Sequence, residues 1–373
     1  MKSYHSTASE LLKLADITIN GKRPQDIVIN DDRIYKRVIR DGELGLGEAY
    51  MDGWWDAKAP DEFIAKLLDA ELADTAKITP DLMMKVAGTK LFNEQTIKRS
   101  SSDVSSHYDI GNDLYEKMLD KRMIYTCAYW KDAKNLDEAQ EAKLDLVCRK
   151  LQLKKGMTVL DLGCGWGGFA KYAAEKYGVT VTGVTLSAEQ VELGTKMTKD
   201  VDVTLLLKDY RDMEGMFDRV VSIGILEHIG VKNYKTFFDQ CNKLLGKDGI
   251  MLHHMIGEMY PYKASGARWI RKYIFPGTHL PTLAELNKAS EYTFVIEDVH
   301  NIGPDYDKTL MAWHKNFVKA YPKLDHDVYD ERFFRMWEYY LLLCAGLFRS
   351  RRLQLWQIVF RRMDRNDTYE SVR

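Results

Sequence analysis

From Leu153 onward, short apolar runs rich in β-branched residues alternate with stretches of helical periodicity. The runs 157–162, 179–185, 203–207, 217–223 and 250–256 have the length of strands, and 169–177, 188–197 and 234–245 between them have helical spacing. Strands parted by helices of that length predict right-handed βαβ units and a parallel sheet covered on both faces. Two later runs, 293–299 and 355–360, are expected as edge strands, one of them antiparallel. The pattern predicts a doubly wound α/β domain whose ligand lies beyond the carboxyl ends of the strands.

The first part of the chain reads differently. Amphipathic spacing predicts helices over 9–14 and 61–72, the latter with Phe63, Ile64, Leu67 and Leu68 on one face. Two short strands, 17–19 and 27–29, flank the turn-rich Asn20-Gly21-Lys22-Arg23-Pro24. A polar stretch, 98–106, has the composition of a linker. The expected organisation is a smaller, mostly helical domain over 1–99, a linker over 100–106 and an α/β domain over 107–373.

Composition narrows the classes. Of 373 residues, 54 are Lys or Arg and 55 are Asp or Glu, a net charge of −1. That balance speaks against a surface built to hold nucleic acid. Five cysteines without a CxxC pair read as reduced thiols, and no ligand spacing fits a metal. The first twenty residues or so lack an apolar core of the secretory type. The most hydrophobic stretch, 336–348, contains Glu338 and is shorter than the ~20 apolar residues a bilayer span needs. A cytoplasmic protein without a transmembrane segment is expected.

The first α/β strand ends in Val159-Leu160-Asp161-Leu162-Gly163-Cys164-Gly165-Trp166-Gly167-Gly168, which places GxGxxG at a strand-to-helix junction. Glycines there let the backbone turn tightly and approach a nucleotide. A dinucleotide site wants an acidic residue ~20 positions on for the ribose. The second strand instead ends in Thr185-Leu186-Ser187, while Asp161 stands two positions ahead of the first glycine. A carboxylate so placed resembles class I methyltransferases that bind S-adenosylmethionine, in which it orders the loop and faces the methionyl amine. The seven strand-like runs then imply their Rossmann-like, mainly parallel sheet.

Further segments carry a closer resemblance. They are His107-Tyr108-Asp109-Ile110-Gly111-Asn112-Asp113, Tyr125-Thr126-Cys127-Ala128-Tyr129-Trp130, Thr185-Leu186-Ser187-Ala188-Glu189-Gln190 and Glu227-His228-Ile229-Gly230. Tyr306-Asp307-Lys308-Thr309-Leu310-Met311-Ala312-Trp313 and Cys344-Ala345-Gly346-Leu347-Phe348-Arg349 follow, and Leu44-Gly45-Leu46-Gly47-Glu48-Ala49-Tyr50-Met51-Asp52-Gly53-Trp54-Trp55 precedes. In number and order these resemble the cyclopropane fatty acid synthase family, including the mycolic acid cyclopropane synthases, over essentially the whole chain.

The resemblance implies methyl transfer from S-adenosylmethionine to the double bond of an unsaturated acyl chain, then ring closure when bound bicarbonate removes a proton. The residues matching the bicarbonate pattern are Cys127, Glu227, His254, the backbone of Ile256, and Tyr306. Thiol, imidazole, phenol and main-chain N–H can donate to an anion, while Glu227 can accept its hydroxyl proton. His253 and His254 point to opposite faces of a strand, and only the family motif selects His254. Cys127 also reads as a small buried hydrophobe, and Cys344, within an apolar helix, reads as structural. For the cofactor the resemblance implies Tyr108, Tyr125, Thr126, Asp161, Gly163, Cys164, Gly165, Trp166, Gly167, Thr185, Gln190, Tyr210 and Arg211. Thr126 stands where the family often has serine.

An acyl chain in a bilayer has to be reached. Eight arginines between 331 and 365 and the interleaved Arg268-Trp269-Ile270-Arg271-Lys272-Tyr273-Ile274-Phe275 suit anionic headgroups. They read equally as a core helix with solvated arginines. A transient, peripheral visit to the phospholipid surface and a homodimer are expected. The competing readings are a methyltransferase acting on another acceptor and a non-catalytic lipid-binding protein.

Overall fold

The computed structural model describes residues 2–70, 111–259, 267–365 and 368–373. The linker expected at 100–106 and the candidate Tyr108 lie outside them. The chain divides into two compact units, both discontinuous in sequence. One takes Met1–Met118, Lys263–Gly277 and Leu310–Arg352, and the other Leu119–Tyr262, Thr278–Thr309 and Leu353–Arg373. The first unit thus draws two later segments into its core, which a contiguous reading of 1–99 and 107–373 does not contain.

In the first unit, helices Lys2–Leu14, Arg33–Asp41, Glu43–Met51 and Pro60–Asp69 accompany a hairpin-like pair, β1 (Ile27–Ile29) and β2 (Trp55–Ala57), which are antiparallel. The run expected as a strand at 17–19 contributes one bridge, Ile19 to Ile27. The long helix Glu331–Arg349 forms the centre of this unit. It buries Phe333, Met336, Trp337, Tyr339 and Tyr340, and Trp55 is fully buried against Tyr50, Phe63 and Tyr339. Among the described residues no helix is long and apolar enough to cross a membrane. Cys344 lies in this helix, and burial pushes its thiol up to about 12.

Several residues of the basic segments are engaged within the fold. Trp269 is fully buried, and a Cβ added at Gly47 would meet its ring at 2.4 Å. Arg335 bonds the Tyr50 and Trp55 carbonyls and Asp56, and Arg349 pairs with Asp61 at 2.7 Å. Arg332 pairs with Asp52, Arg362 with Asp364, Arg365 with Asp248, and Arg352 donates to the Leu68 carbonyl. The helix Glu331–Arg349 packs as a core helix, with arginines held by acidic groups and carbonyls at its margins.

The second unit is built on a seven-stranded sheet in the order β5-β4-β3-β6-β7-β9-β8. Its strands are β3 (Thr158–Leu162), β4 (Thr180–Thr185), β5 (Val203–Leu207), β6 (Phe217–Ile223), β7 (Leu245–Gly257), β8 (Phe294–Asn301) and β9 (Gln354–Arg362). β3 to β7 are mutually parallel, and β9 runs antiparallel to both neighbours, β7 and β8. β9 is therefore the reversed strand, yet an interior one. Strand residues alternate between two cores, as in β3, where Leu160 and Leu162 face one cluster with Phe237 and Phe238 and Val159 faces another with Val147 and Phe169. Covering both faces is why these strands read as continuous apolar runs rather than alternating ones.

Candidate active site

The chemistry-bearing side chains gather where the parallel strands end. After β3 the chain turns through Gly163 to Gly167 into helix Gly168–Tyr177, and the Gly163 and Cys164 amides donate to the Val184 carbonyl at 2.9 and 3.0 Å. That ties the loop to the neighbouring strand. Gly165 has φ +55°, and a Cβ there would meet nothing within 4 Å, so this turn presents bare backbone. Gly168 has the opposite reason: a Cβ would lie 2.4 Å from the Arg122 carbonyl oxygen. The segment leading to Tyr125-Thr126-Cys127 can lie against the loop only because that atom is missing. Cys164 and Trp166 are buried in the loop.

Asp161, on β3, is 2% exposed, and its Oδ2 is buried with no hydrogen-bond partner among the described residues. Burial pushes its carboxyl up to about 7, against the opposing pull of the Lys143 charge. After β4, Thr185 donates to Gln190 Oε1 at 2.6 Å, and Ser187 caps helix Ala188–Thr198 by accepting from the Gln190 amide. Leu186 and Leu207, beyond β4 and at the end of β5, are exposed and add apolar surface. After β5, Asp209 holds the exposed Arg211 guanidinium at 2.7 Å, while half-buried Tyr210 packs edge-on to Phe237. A buried carboxylate, a bare glycine turn and exposed apolar side chains fit a ligand with a cationic end and a flat ring, as S-adenosylmethionine is.

A second cluster follows β6 and β7. Glu227 opens the short helix Leu226–Ile229 and is buried. Its Oε1 accepts from the Ile256 amide at 2.7 Å, and its Oε2 is buried without a partner among the described residues. Burial pushes this carboxyl up to about 7 despite the backbone hydrogen bond. The Ile256 N–H, expected as a donor to an anion, is thus used by Glu227.

His253 and His254 point to opposite faces. His253 sits among Phe237, Phe238 and Phe360 with neither ring nitrogen partnered among the described residues. The Gln357 amide nitrogen lies 3.3 Å from His254 Nδ1; with that nitrogen as the donor, the ring proton sits on Nε2, which is buried without a partner among the described residues. Burial first, then the charges of Lys143 and Lys150, hold this imidazole well below its ordinary value, so it is neutral.

Cys127 is fully buried, donates to the Ala128 carbonyl at 3.2 Å, and is held well above the ordinary thiol range by burial and then by Asp305. Its segment is pinned to helix Gly303–Ala320, because Thr309 Oγ1 accepts from the Ala128 amide and from Trp130 Nε1 at 3.1 and 3.0 Å. Tyr306, 8% exposed, lies one turn earlier on that helix. The links continue: the Thr126 methyl lies 3.0 Å from where a Gly224 Cβ would stand, and the Gly224 amide donates to the His254 carbonyl at 2.8 Å.

Four residues here were not expected from the sequence. Gln357, Thr309, Gln140 and Lys143 are polar groups on otherwise apolar surfaces. Gln357, between Trp356 and Ile358 in the apolar middle of β9, and the Gln140/Lys143 pair on the buried face of helix Leu136–Lys150 were the available signals.

A model of the mycolic acid cyclopropane synthetase family matches residues 95–358. Over 360 residues the chain is 50% identical to cyclopropane-fatty-acyl-phospholipid synthase of Escherichia coli (strain K12), covering 96% of this chain and 94% of that protein. The cyclopropane synthase MmaA2 from Mycobacterium tuberculosis superposes with a TM-score of 0.65 at 32% identity, covering 72% of this chain and 99% of that one. The mycolic acid cyclopropane synthase CmaA1, complexed with SAH and CTAB, gives 0.64 at 33% identity, covering 69% and 96%. With a buried carboxylate at each of two strand-end clusters and the family pattern spanning most of its length, the chain belongs to the mycolic acid cyclopropane synthetase family, whose members use S-adenosylmethionine.

Proposed function

We propose that the protein adds a methylene to the cis double bond of unsaturated acyl chains in membrane phospholipids, with bicarbonate as the base that closes the ring. The observation that carries this reading is the pair of orphaned buried groups, Glu227 Oε2 and the protonated His254 Nε2. Buried polar atoms without partners are costly, and a small anion bearing a hydroxyl satisfies both. Methyl transfer to an oxygen or nitrogen needs no such pair.

S-adenosylmethionine supplies an electrophilic methyl on a sulfonium, and the residues that would hold it are Asp161, the glycine loop, Thr126, Thr185 with Gln190, and Tyr210. The alkene π electrons form the new carbon–carbon bond, leaving a carbocation on the acyl chain. Loss of one proton from the new methyl gives the cyclopropane, so the chain gains CH2 overall. His254 Nε2 would donate a hydrogen bond to the anion, and Glu227 would accept one from the anion's hydroxyl, leaving the anion's basic oxygen free to take the proton. Cys127 and Tyr306 complete the walls, and burial of all four excludes water that would trap the cation. The substrate reading extends to a cytoplasmic homodimer that visits the bilayer transiently.

The test is direct. The protein is incubated with S-adenosylmethionine and vesicles of monounsaturated phospholipid, and the acyl chains are examined by mass spectrometry and ozonolysis. Gain of one CH2 with resistance to ozonolysis is expected. A methyl-branched alkene has the same mass but is cleaved by ozone, and that product would replace ring closure by simple methyl transfer. Sedimentation and vesicle flotation test the dimer and the bilayer visit.

A further inference from the structure

Lys143 has no part in the scheme above, yet it is fully buried beside both clusters. Lys150, the other fully buried lysine among the described residues, pairs with Asp298 at 3.2 Å. Lys143 has no carboxylate within ion-pair distance among the described residues; its ammonium donates to Thr126 Oγ1 at 2.8 Å. A buried cation with one neutral partner is expensive unless nearby charge or a ligand makes use of it.

The surroundings give it two uses. Gln140, one turn earlier on the same helix, donates to the Thr126 carbonyl at 2.8 Å, so the helix holds this residue at two points. With its oxygen accepting from the ammonium, the Thr126 hydroxyl must direct its own proton to a second acceptor, away from Lys143. Asp161, meanwhile, has an unpartnered buried oxygen, and a neutral acid there would be a poor partner for an amine. The groups whose charges act on Lys143 are Asp120 and Cys127, on the segment carrying Thr126, and Asp161 on β3; Lys143 in turn acts on His254 of β7. Burial lowers the ammonium to about 8, which leaves it charged at neutral pH.

We propose that Lys143 is a positioning residue for the cofactor: it aims the Thr126 hydroxyl as a donor, and its positive charge favours the ionised form of Asp161 over the neutral acid before the cofactor arrives. The proposal rests on the S-adenosylmethionine reading of this loop. The structure thereby assigns a role to a helix face that otherwise reads as packing.

The probe is S-adenosylhomocysteine, followed by calorimetry on the full chain at about pH 7 and about pH 9. Lys143→Met is expected to weaken binding about 10- to 100-fold at the lower pH, the scale of a lost charge-assisted contact. The deficit should shrink at the higher pH, where Asp161 ionises unaided and the unaltered protein's Lys143, lowered by burial to about 8, has itself lost most of its charge. Lys143→Arg should recover part of the affinity, and KM for S-adenosylmethionine should rise more than kcat falls. Unchanged affinity and pH dependence in a folded Lys143→Met protein would overturn the role. Should that variant not fold, Thr126→Val keeps the lysine and removes only the hydroxyl; wild-type affinity there would equally overturn it. Failure of the unaltered protein to bind the probe would instead remove the cofactor reading beneath the proposal.

Discussion

Ile256 donates its amide proton to Glu227 Oε1 at 2.7 Å, which leaves Oε2 as the one buried carboxylate oxygen of this cluster without a partner among the described residues. The arrangement fixes the carboxyl in orientation while leaving its reactive side open. It also couples two strand ends, since Glu227 follows β6 and Ile256 is on β7.

Glu227→Gln should therefore separate stability from activity. The folded carboxyl is raised from 4.5 to about 7 by burial. A raised acid contributes stability that is full below the unfolded value and is lost as pH rises through about 7. Above that, the ionised carboxylate costs the fold about 3 kcal/mol at ~1.4 kcal/mol per pKa unit. The glutamine variant should accordingly unfold at higher urea than the unaltered protein at about pH 8, and no differently near pH 4. Turnover should fall about 10²- to 10⁴-fold while affinity for S-adenosylhomocysteine stays unchanged. The unaltered enzyme's rate should climb with pH through about 7, and the variant should lack that limb. Equal stability of the two at pH 8 would contradict a buried, ionisable Glu227.

Gln357 fixes which nitrogen of His254 carries the proton, so Gln357→Leu should act through the imidazole rather than through the fold. The antiparallel register sets His254 opposite Gln357 on the same face of the sheet. Loss of the amide frees Nδ1 to take the proton and leaves Nε2 as an acceptor, which repels an anion. About a 10-fold lower turnover with a raised bicarbonate requirement is expected, read in degassed buffer against added bicarbonate. A variant with an unchanged bicarbonate response would show that the tautomer does not matter.

The legibility of this molecule followed the local character of each signal. β5 and β6 fall on the expected runs; β6 does so because a strand buried on both faces writes itself as a continuous apolar stretch, and β5, at the sheet edge, through its β-branched and leucine content alone. The interior place of β9 was not readable, since an apolar run does not say which neighbours it pairs with. The arginines of 331–365 looked like a surface field, but their partners, such as Asp52, Asp56 and Asp61, are far off in sequence. Spacing cannot show such pairings. Lys143 and Gln357 were hidden for a related reason: each is a single polar residue whose meaning depends on what a distant strand or loop places against it. Glu227, His254 and Asp161 were found by resemblance; nothing in their spacing joins a residue after β6 to one on β7.

Gly168→Ala tests the close approach on which the cofactor loop depends. Its Cβ would sit 2.4 Å from a main-chain carbonyl and equally close to the Ile124 methyl. A backbone atom cannot swing aside as a side chain can, so the segment before Tyr125 must move. Overpacking of this kind costs about 1–3 kcal/mol. Calorimetry should show at least a 10-fold loss of S-adenosylhomocysteine affinity in protein that still folds, because Tyr125 and Thr126 shift with the segment. Retention of full affinity would mean that this segment does not touch the cofactor.

The last prediction concerns charge buried away from the site. Asp298, on β8, accepts from Lys150 at 3.2 Å, from Ser371 at 3.1 Å and from Arg373 through two contacts of 2.7 Å. Burial pushes its carboxyl up, but Arg373 and Lys150 outweigh this and hold it below the ordinary value. Burial lowers Lys150 to about 8 in spite of the same pair, because the lysine has one counter-charge and the aspartate has two. Asp298→Asn leaves Lys150 buried without its partner and should destabilise the fold by about 3–5 kcal/mol at neutral pH. The deficit should narrow as pH rises to about 8, where the unaltered chain's Lys150 also sheds its proton and no longer draws on the carboxylate, and level off above that. The aspartate's contribution in the unaltered chain, present above the unfolded value near 4, should disappear as pH falls below it. Urea unfolding of both proteins at about pH 7 and pH 9.5 measures this. A deficit that stays constant across that range would show that Lys150 is not the charge left stranded.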